Sequence, residues 1–166
     1  MGWRTLEPNA MPSTTLIRGA RADDVARIRA IARAAYAKYV ARIGHEPAPM
    51  AANYDAEVAA QHVVVIEVAG KVDGYMVAWP EDDTYFIDNI GVEPSCQGTG
   101  LGRRLLEYAA AEAERLHLPA LRLYTNIVMV ENLAMYAHLG FVETHRVAEK
   151  GFNRIYLRRS LAKTER

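Results

Sequence analysis

Gln97-Gly98-Thr99-Gly100-Leu101-Gly102-Arg103 is the stretch that decides how this chain is read. A strand-like run, Tyr85 to Val92, precedes it, and a helix-like run, Leu101 to Leu116, follows it. A glycine-rich loop at the start of a helix exposes backbone N–H groups that no helical carbonyl accepts. Those donors, added to the positive end of the helix dipole, suit a phosphate. Glycines also let the backbone approach such an anion closely, with no Cβ in the way.

Two familiar phosphate patterns fail on these letters. A P-loop ends in Gly-Lys-Ser or Gly-Lys-Thr, whereas here the corresponding residues are Gly102-Arg103-Arg104. A dinucleotide fingerprint spaces its glycines Gly-x-Gly-x-x-Gly, whereas Gly98, Gly100 and Gly102 are spaced two and two. A helix start with flexible glycines and no ligand is the plain alternative.

Outward from the loop, apolar periodicity and turn residues divide the chain into short elements. Thr15 to Arg18 reads as a strand, with Asp23 as the N-cap of a helix that runs to Tyr39. Gly44 to Met50, with Pro47 and Pro49, reads as a loop, and Tyr54 to Ala60 as a second short helix. His62 to Ala69 and Tyr75 to Trp79 form a hairpin across Gly70 to Gly74, and Tyr85 to Val92 is the strand that feeds the glycine loop. Leu101, Leu105, Tyr108, Ala109, Ala113 and Leu116 make one apolar helical stripe. Ala120 to Thr125 reads as a strand, and Glu131 to Leu139 as a helix closed at Gly140. Phe141 to Ala148 and Arg154 to Leu161 form a last hairpin. The expectation is an α/β (α+β) domain over 15–166 with a mixed central sheet flanked by helices, behind a flexible leader of residues 1–14. Met11 is an alternative start to Met1.

The chain has 166 residues, 20 basic and 20 acidic side chains and a formal net charge of zero. That balance gives no broad surface for nucleic acid. The one cysteine, Cys96, fits a reducing compartment and excludes an internal disulfide framework. No apolar run approaches the roughly 20 residues of a membrane span. The expectation is therefore a cytoplasmic protein with no nucleic-acid or membrane partner. The histidines show no metal-ligand spacing, so no metal is expected.

Gln-x-x-Gly-x-Gly after a strand ending in Gly91-Val92-Glu93-Pro94 resembles the acetyl-coenzyme A pyrophosphate loop of the GNAT N-acetyltransferase superfamily. A second stretch, Tyr136-Ala137-His138-Leu139-Gly140-Phe141, is similar to the family's Tyr-x-x-Leu-Gly-Phe ending. The order β-α-α-β-β-β-α-β-α-β-β also matches that family's topology. Tyr36 to Met50 resembles a form recurrent among bacterial members of unassigned substrate.

The resemblance implies acetyl transfer from acetyl-coenzyme A to a primary amine, most simply of a small molecule, by direct attack in a ternary complex. A non-catalytic acyl-coenzyme A sensor and a protein N-acetyltransferase are the alternatives, and a homodimer stays open. It implies that backbone of Ile90, Gly91 and Val92 receives the pantetheine arm. Gln97, Gly98, Thr99, Gly100, Leu101, Gly102 and Arg103 hold the pyrophosphate, and Arg103 and Arg104 add charge or simply form a solvated helix face. Tyr136 is the candidate acid for the departing thiolate, because its pKa near 10 is close to a thiol's. The family often has Asn seven residues before this tyrosine and Ala four before it. Here Met129 and Asn132 stand there, so the cofactor-positioning role of that Asn has either moved to Asn132 or is missing.

Strict alternation places Phe86, Asp88, Ile90 and Val92 on one strand face. By motif spacing, the glutamate base that some relatives carry falls at Phe86, two residues before Asp88. Asp88 is then a candidate base, a contact for the substrate's ammonium, or a structural acceptor of backbone hydrogen bonds. Tyr36, Tyr39, His45 and Glu46 are the candidate acceptor-binding residues, with Tyr54 beside them.

Overall fold

The computed structural model describes residues 14–161. The expected leader at 1–14 lies almost wholly outside the described residues, as do both candidate starts. Seven strands form one mixed sheet: β1 (Thr15–Gly19), β2 (Val63–Val68), β3 (Lys71–Glu81), β4 (Thr84–Val92), β5 (Ala120–Asn126), β6 (Val142–Glu149) and β7 (Phe152–Ser160). Their spatial order is β1-β2-β3-β4-β5-β7-β6. Every neighbouring pair is antiparallel except β4 and β5, which are parallel. A parallel pair needs a crossover, and helix α4 (Leu101–Arg115) supplies it.

The hairpins close more tightly than the glycine positions alone suggest. Ala69 and Gly70 both have positive φ, as do Lys150 and Gly151. Two successive positive-φ residues match the twist of the flanking strands, so β2–β3 and β6–β7 each turn over two residues.

Helix α1 (Val25–Tyr36) and the short α3 (Tyr54–Ala59) cover one face of the sheet. Val25, Ile28, Ile31 and Ala32 of α1 pack with Tyr54, Val65, Tyr75 and Val77. On the other face α4 buries Leu101, Leu105, Leu106, Ala109 and Ala113 against Ile66, Met76, Ile87, Leu121 and Leu123. Helix α5 (Val130–His138) adds Tyr136 to this second core.

Three details differ from the sequence reading. Asp24, rather than Asp23, closes the start of the first helical segment. Its Oδ2 accepts from Arg21 N at 2.7 Å, and Arg18 forks onto both its oxygens at 2.8 and 3.0 Å. That pairing holds the Asp24 carboxyl below its usual range. The first helix also stops at Tyr36. A tight turn at Ala37–Tyr39 and the one-turn helix α2 (Val40–Ile43) follow, ending at Gly44 with φ +94°.

The third difference reorients the strand that feeds the loop. Val77 pairs with Asn89 but Ala78 pairs with Ile87, so Asp88 is the extra residue of a bulge. A bulge adds one residue to the count and reverses the alternation beyond it. Phe86 and Asp88 face the Tyr124 ring, while Ile90 and Val92 pack with the α4 core. Phe86, Asp88, Ile90 and Val92 therefore do not share a face.

Candidate active site

The parallel pairing of β4 and β5 covers only Thr84–Ile87 against Ala120–Leu123. Both strands continue, to Val92 and Asn126, so they part beyond Ile87 and Leu123. The wedge between them is where the site is built. Tyr36 Oη donates to the Ile90 carbonyl at 2.7 Å, so that carbonyl points away from β3 and into the wedge. An extended residue exchanges its N–H and C=O on one side, so the Ile90 N–H faces the wedge too.

A large cleft of about 390 Å³ opens beside the wedge, between Ile90, Gly91 and Val92, the glycine loop, and α5. Gly98 and Gly100 have φ of +83° and +89°, left-handed values that favour glycine. The first turn of α4 begins with Arg104 N donating to Gly100 O at 3.1 Å. This leaves the N–H groups of Leu101, Gly102 and Arg103 without a helical acceptor at the cleft. Two loop side chains brace the loop: Thr99 Oγ1 donates to Cys96 O at 2.5 Å and Gln97 Nε2 to Val92 O at 3.3 Å. Thr99 does not line the cleft, whereas Gln97 and Arg103 do. Gly91 has a different reason to be glycine: a Cβ there would lie 2.3 Å from Cε1 of the buried Tyr75 ring.

A second, narrow pocket of about 40 Å³ lies on the far side of the wedge. Its walls come from Pro47, Ala48 and Pro49, from β4 at Asp88, from β5 at Tyr124 and Asn126, from Met129, and from Phe152 and Arg154 on β7. Asp88 Oδ1 accepts from Tyr124 Oη at 3.2 Å and its Oδ2 from Asn89 Nδ2 at 2.9 Å. Burial, and then the Asp88 charge, push the Tyr124 hydroxyl well above its ordinary pKa.

The cleft and the pocket meet. Tyr36, Ile90, Asn132 and Tyr136 line both. Tyr136 rests its ring edge-on against Phe141 with centroids 5.6 Å apart. Its hydroxyl has no hydrogen-bond partner among the described residues and opens to the junction. Burial, with a smaller contribution from Tyr39, pushes its pKa up to about 12. Asn132 Nδ2 reaches Met129 Sδ at 3.7 Å.

The remaining sequence candidates fall elsewhere. Tyr39 lines the large cleft and not the narrow pocket. Glu46 pairs with Arg33 at 3.5 Å. The His45 ring nitrogens approach the Glu46 and Gly151 carbonyls at 3.2 Å, with the ring edge-on to Phe152. Neither Glu46 nor His45 lines either space. Tyr54 is fully buried, its hydroxyl donating to Pro49 O at 2.5 Å, so it braces the loop wall from behind. Arg104 is exposed and outside the cleft. The sequence reading did not name Tyr124, Asn126, Phe152 or Arg154 as site residues. Alternation along β5 separates Tyr124 and Asn126 from Leu121 and Leu123, but nothing local announces where β4 and β5 part. Among the described residues no group of three or more His, Cys, Asp or Glu is placed to hold a metal ion. No helix there is long and apolar enough to cross a membrane.

Comparison with known proteins agrees with this architecture. The ribosomal-protein-S18-alanine N-acetyltransferase of Escherichia coli superposes with a TM-score of 0.69 at 20% identity, over 92% of this chain and 97% of that one. PaiA N-acetyltransferase of Thermoplasma acidophilum, in complex with coenzyme A, gives 0.72 at 13% identity over 89% and 99%. YncA of Salmonella typhimurium, with its cofactor acetyl-CoA, gives 0.65 at 23% identity over 92% and 96%. Likeness at these identities establishes the fold. The sequence match goes further: residues 59–143, just over half of the chain, fit the family model of the acetyltransferase (GNAT) domain. This chain belongs to the GNAT acetyltransferase family.

Proposed function

We propose that this acetyltransferase moves the acetyl group of acetyl-coenzyme A onto a primary amine of a small molecule, by direct attack with both substrates bound. The observation that carries the reading is the junction: one large cleft and one narrow pocket share Tyr36, Ile90, Asn132 and Tyr136. A donor in the cleft and an acceptor in the pocket would meet there, which makes the reaction effectively unimolecular.

The large cleft fits the donor. The open N–H groups of Leu101, Gly102 and Arg103 and the α4 dipole suit a pyrophosphate. Beyond Ile87, β4 has no strand neighbour on its β5 side, which leaves main-chain groups for an amide-bearing arm. When bound, acetyl-coenzyme A supplies an activated thioester carbonyl. In this reading the Ile90 N–H polarises that carbonyl, as a preorganised donor does for developing negative charge. The Asp88 carboxylate, in the acceptor pocket, takes a proton from the amine nitrogen. Tyr136 Oη gives a proton to the departing sulfur. Its raised pKa keeps it protonated across the neutral range. Asn132 shapes the junction between the two substrates.

The test is thiol release from acetyl-coenzyme A with a panel of amines, products being identified by mass. Release that depends on an added small amine is expected. Binding without release for any amine favours the sensor alternative, and release with peptides alone favours a protein acceptor.

A further inference from the structure

Among the residues that line the acceptor pocket only Asp88 and Arg154 carry a formal charge, and their signs are opposite. Arg154 stands on β7 opposite Asn126 and is nine-tenths buried, at 9% exposure. Its guanidinium carbon lies 4.4 Å from the Tyr124 ring centroid and 5.2 Å from that of Phe152. Guanidinium carries five donors in a planar fork. Among the described residues only Nη1 has a partner, Glu149 Oε1 at 3.2 Å. That oxygen also accepts from the Tyr156 hydroxyl. Arg154 lines the pocket, and its other donors have no protein acceptor among the described residues and are open to a ligand or water. Leaving them unmet costs free energy unless an acceptor or water reaches them.

Asp88 stands on the other side of the same tyrosine. The Tyr124 hydroxyl donates to the carboxylate while the ring face carries the guanidinium. The ring thus spaces a negative and a positive group along one wall. Two structural roles are already met: Glu149 pairs Arg154 from outside, and Asn89 and Tyr124 pair Asp88. Neither accounts for the unmet donors.

We propose that the acceptor is an amine that also carries a carboxylate, a molecule of the amino-acid class. Its ammonium sits at Asp88 and its carboxylate on the open side of the Arg154 fork. This rests on the acetyl-transfer reading above and narrows it. Arginine suits the task because its planar fork matches a carboxylate two-point, which a lysine cannot do. The apolar wall of Ile43, Pro47, Met129 and Phe152 would receive an aliphatic or aromatic side chain.

The experiment compares amino acids with their decarboxylated amines: alanine with ethylamine, leucine with isoamylamine, phenylalanine with phenethylamine. Rates are read as thiol release and products by mass. A site built to bond a substrate's polar group rejects the analogue that lacks it, so kcat/KM should favour the amino acid by at least about tenfold. Arg154→Gln should bring that ratio close to one through the amino-acid KM, and Arg154→Lys should restore only part of it. Equal transfer to both series overturns the carboxylate assignment alone. Coenzyme A binding with no transfer to either series overturns it together with the small-molecule reading. A wild-type preference that survives Arg154→Gln moves the carboxylate to another residue and overturns the role of Arg154. The wild-type comparison decides the substrate class even if a variant fails to fold.

Discussion

The large cleft and the acceptor pocket share four residues but are assembled differently. The cleft takes about half of its lining from two short stretches, Ile90–Val92 and the loop from Gln97 to Arg103, and most of the rest from α1, the turn after it and α5. The pocket is gathered from more scattered pieces: the Pro47–Pro49 loop, β4, β5, α5 and β7. The phosphate end of the cleft, where backbone N–H groups at a helix start are open, is written in glycine spacing. A pocket gathered from scattered pieces depends on where distant strands bulge and part, and single substitutions redirect it. On this account the cleft sets the reaction and the pocket sets the acceptor.

The sharpest way to break that division is at the junction. Tyr136→Phe keeps the ring and its packing against Phe141 but removes the hydroxyl. General-acid help is typically worth about 10²- to 10⁴-fold, so single-turnover transfer should fall at least about 10²-fold. Donor affinity should barely move, because the interaction belongs to the transition state. With the Tyr136 pKa pushed up to about 12, the hydroxyl stays protonated and wild-type turnover should not decline between about pH 7 and pH 10. Equal single-turnover rates would return Tyr136 to a packing role.

Gly91→Val tests whether that glycine serves the cleft or the core. A Cβ would collide with the Tyr75 ring, and overpacking of this kind costs about 1–3 kcal/mol. Thermal unfolding should show the loss. An unchanged midpoint would mean that the Tyr75 ring yields.

Gly102→Asp separates binding from stability. Only Val92 Cγ2, at 3.9 Å, lies near the added Cβ. An acid in the first turn suits the helix dipole, so the fold should be no less stable. Donor affinity should nevertheless fall at least about tenfold, or roughly 1.4 kcal/mol. Gly100 is a poorer probe, because its φ of +89° strains any side chain there whatever the ligand. Full affinity in a folded Gly102→Asp would move the phosphates away from this loop.

Glu46→Gln should do least. Glu46 is exposed, pairs with Arg33 and lies outside the pocket. Surface pairs contribute about 0–1 kcal/mol, so amine and donor kinetics should both stay close to wild type. A large rise in the amine KM would extend the acceptor site out along the loop.

Much of the fold was legible because its signals are local. Gly98 and Gly100 mark left-handed turns, and Gly140 after Tyr136-Ala137-His138-Leu139 marks a helix end. The seven strands and the crossover helix follow from apolar period and turn residues. The reading failed where a local count met a non-local event. Period-two alternation assumes that every residue of β4 is paired, and the bulge at Asp88 breaks that assumption, turning Ile90 and Val92 to the other face. Asp24 replaced Asp23 because Arg18, six residues back, selects it. Arg154 and Tyr124 were invisible as site residues because only the parting of β4 and β5 brings them beside Asp88.

The central claim is that donor and acceptor meet at the Tyr36–Ile90–Asn132–Tyr136 junction and react directly. Rapid mixing of the protein with acetyl-coenzyme A, followed by free-thiol detection before and after addition of a reactive amine, tests it most directly. The account predicts no thiol burst with acetyl-coenzyme A alone and stoichiometric release once amine is present, with the acetyl group recovered on the amine. A full equivalent of thiol released before any amine is added, with the acetyl group on the protein, would contradict it.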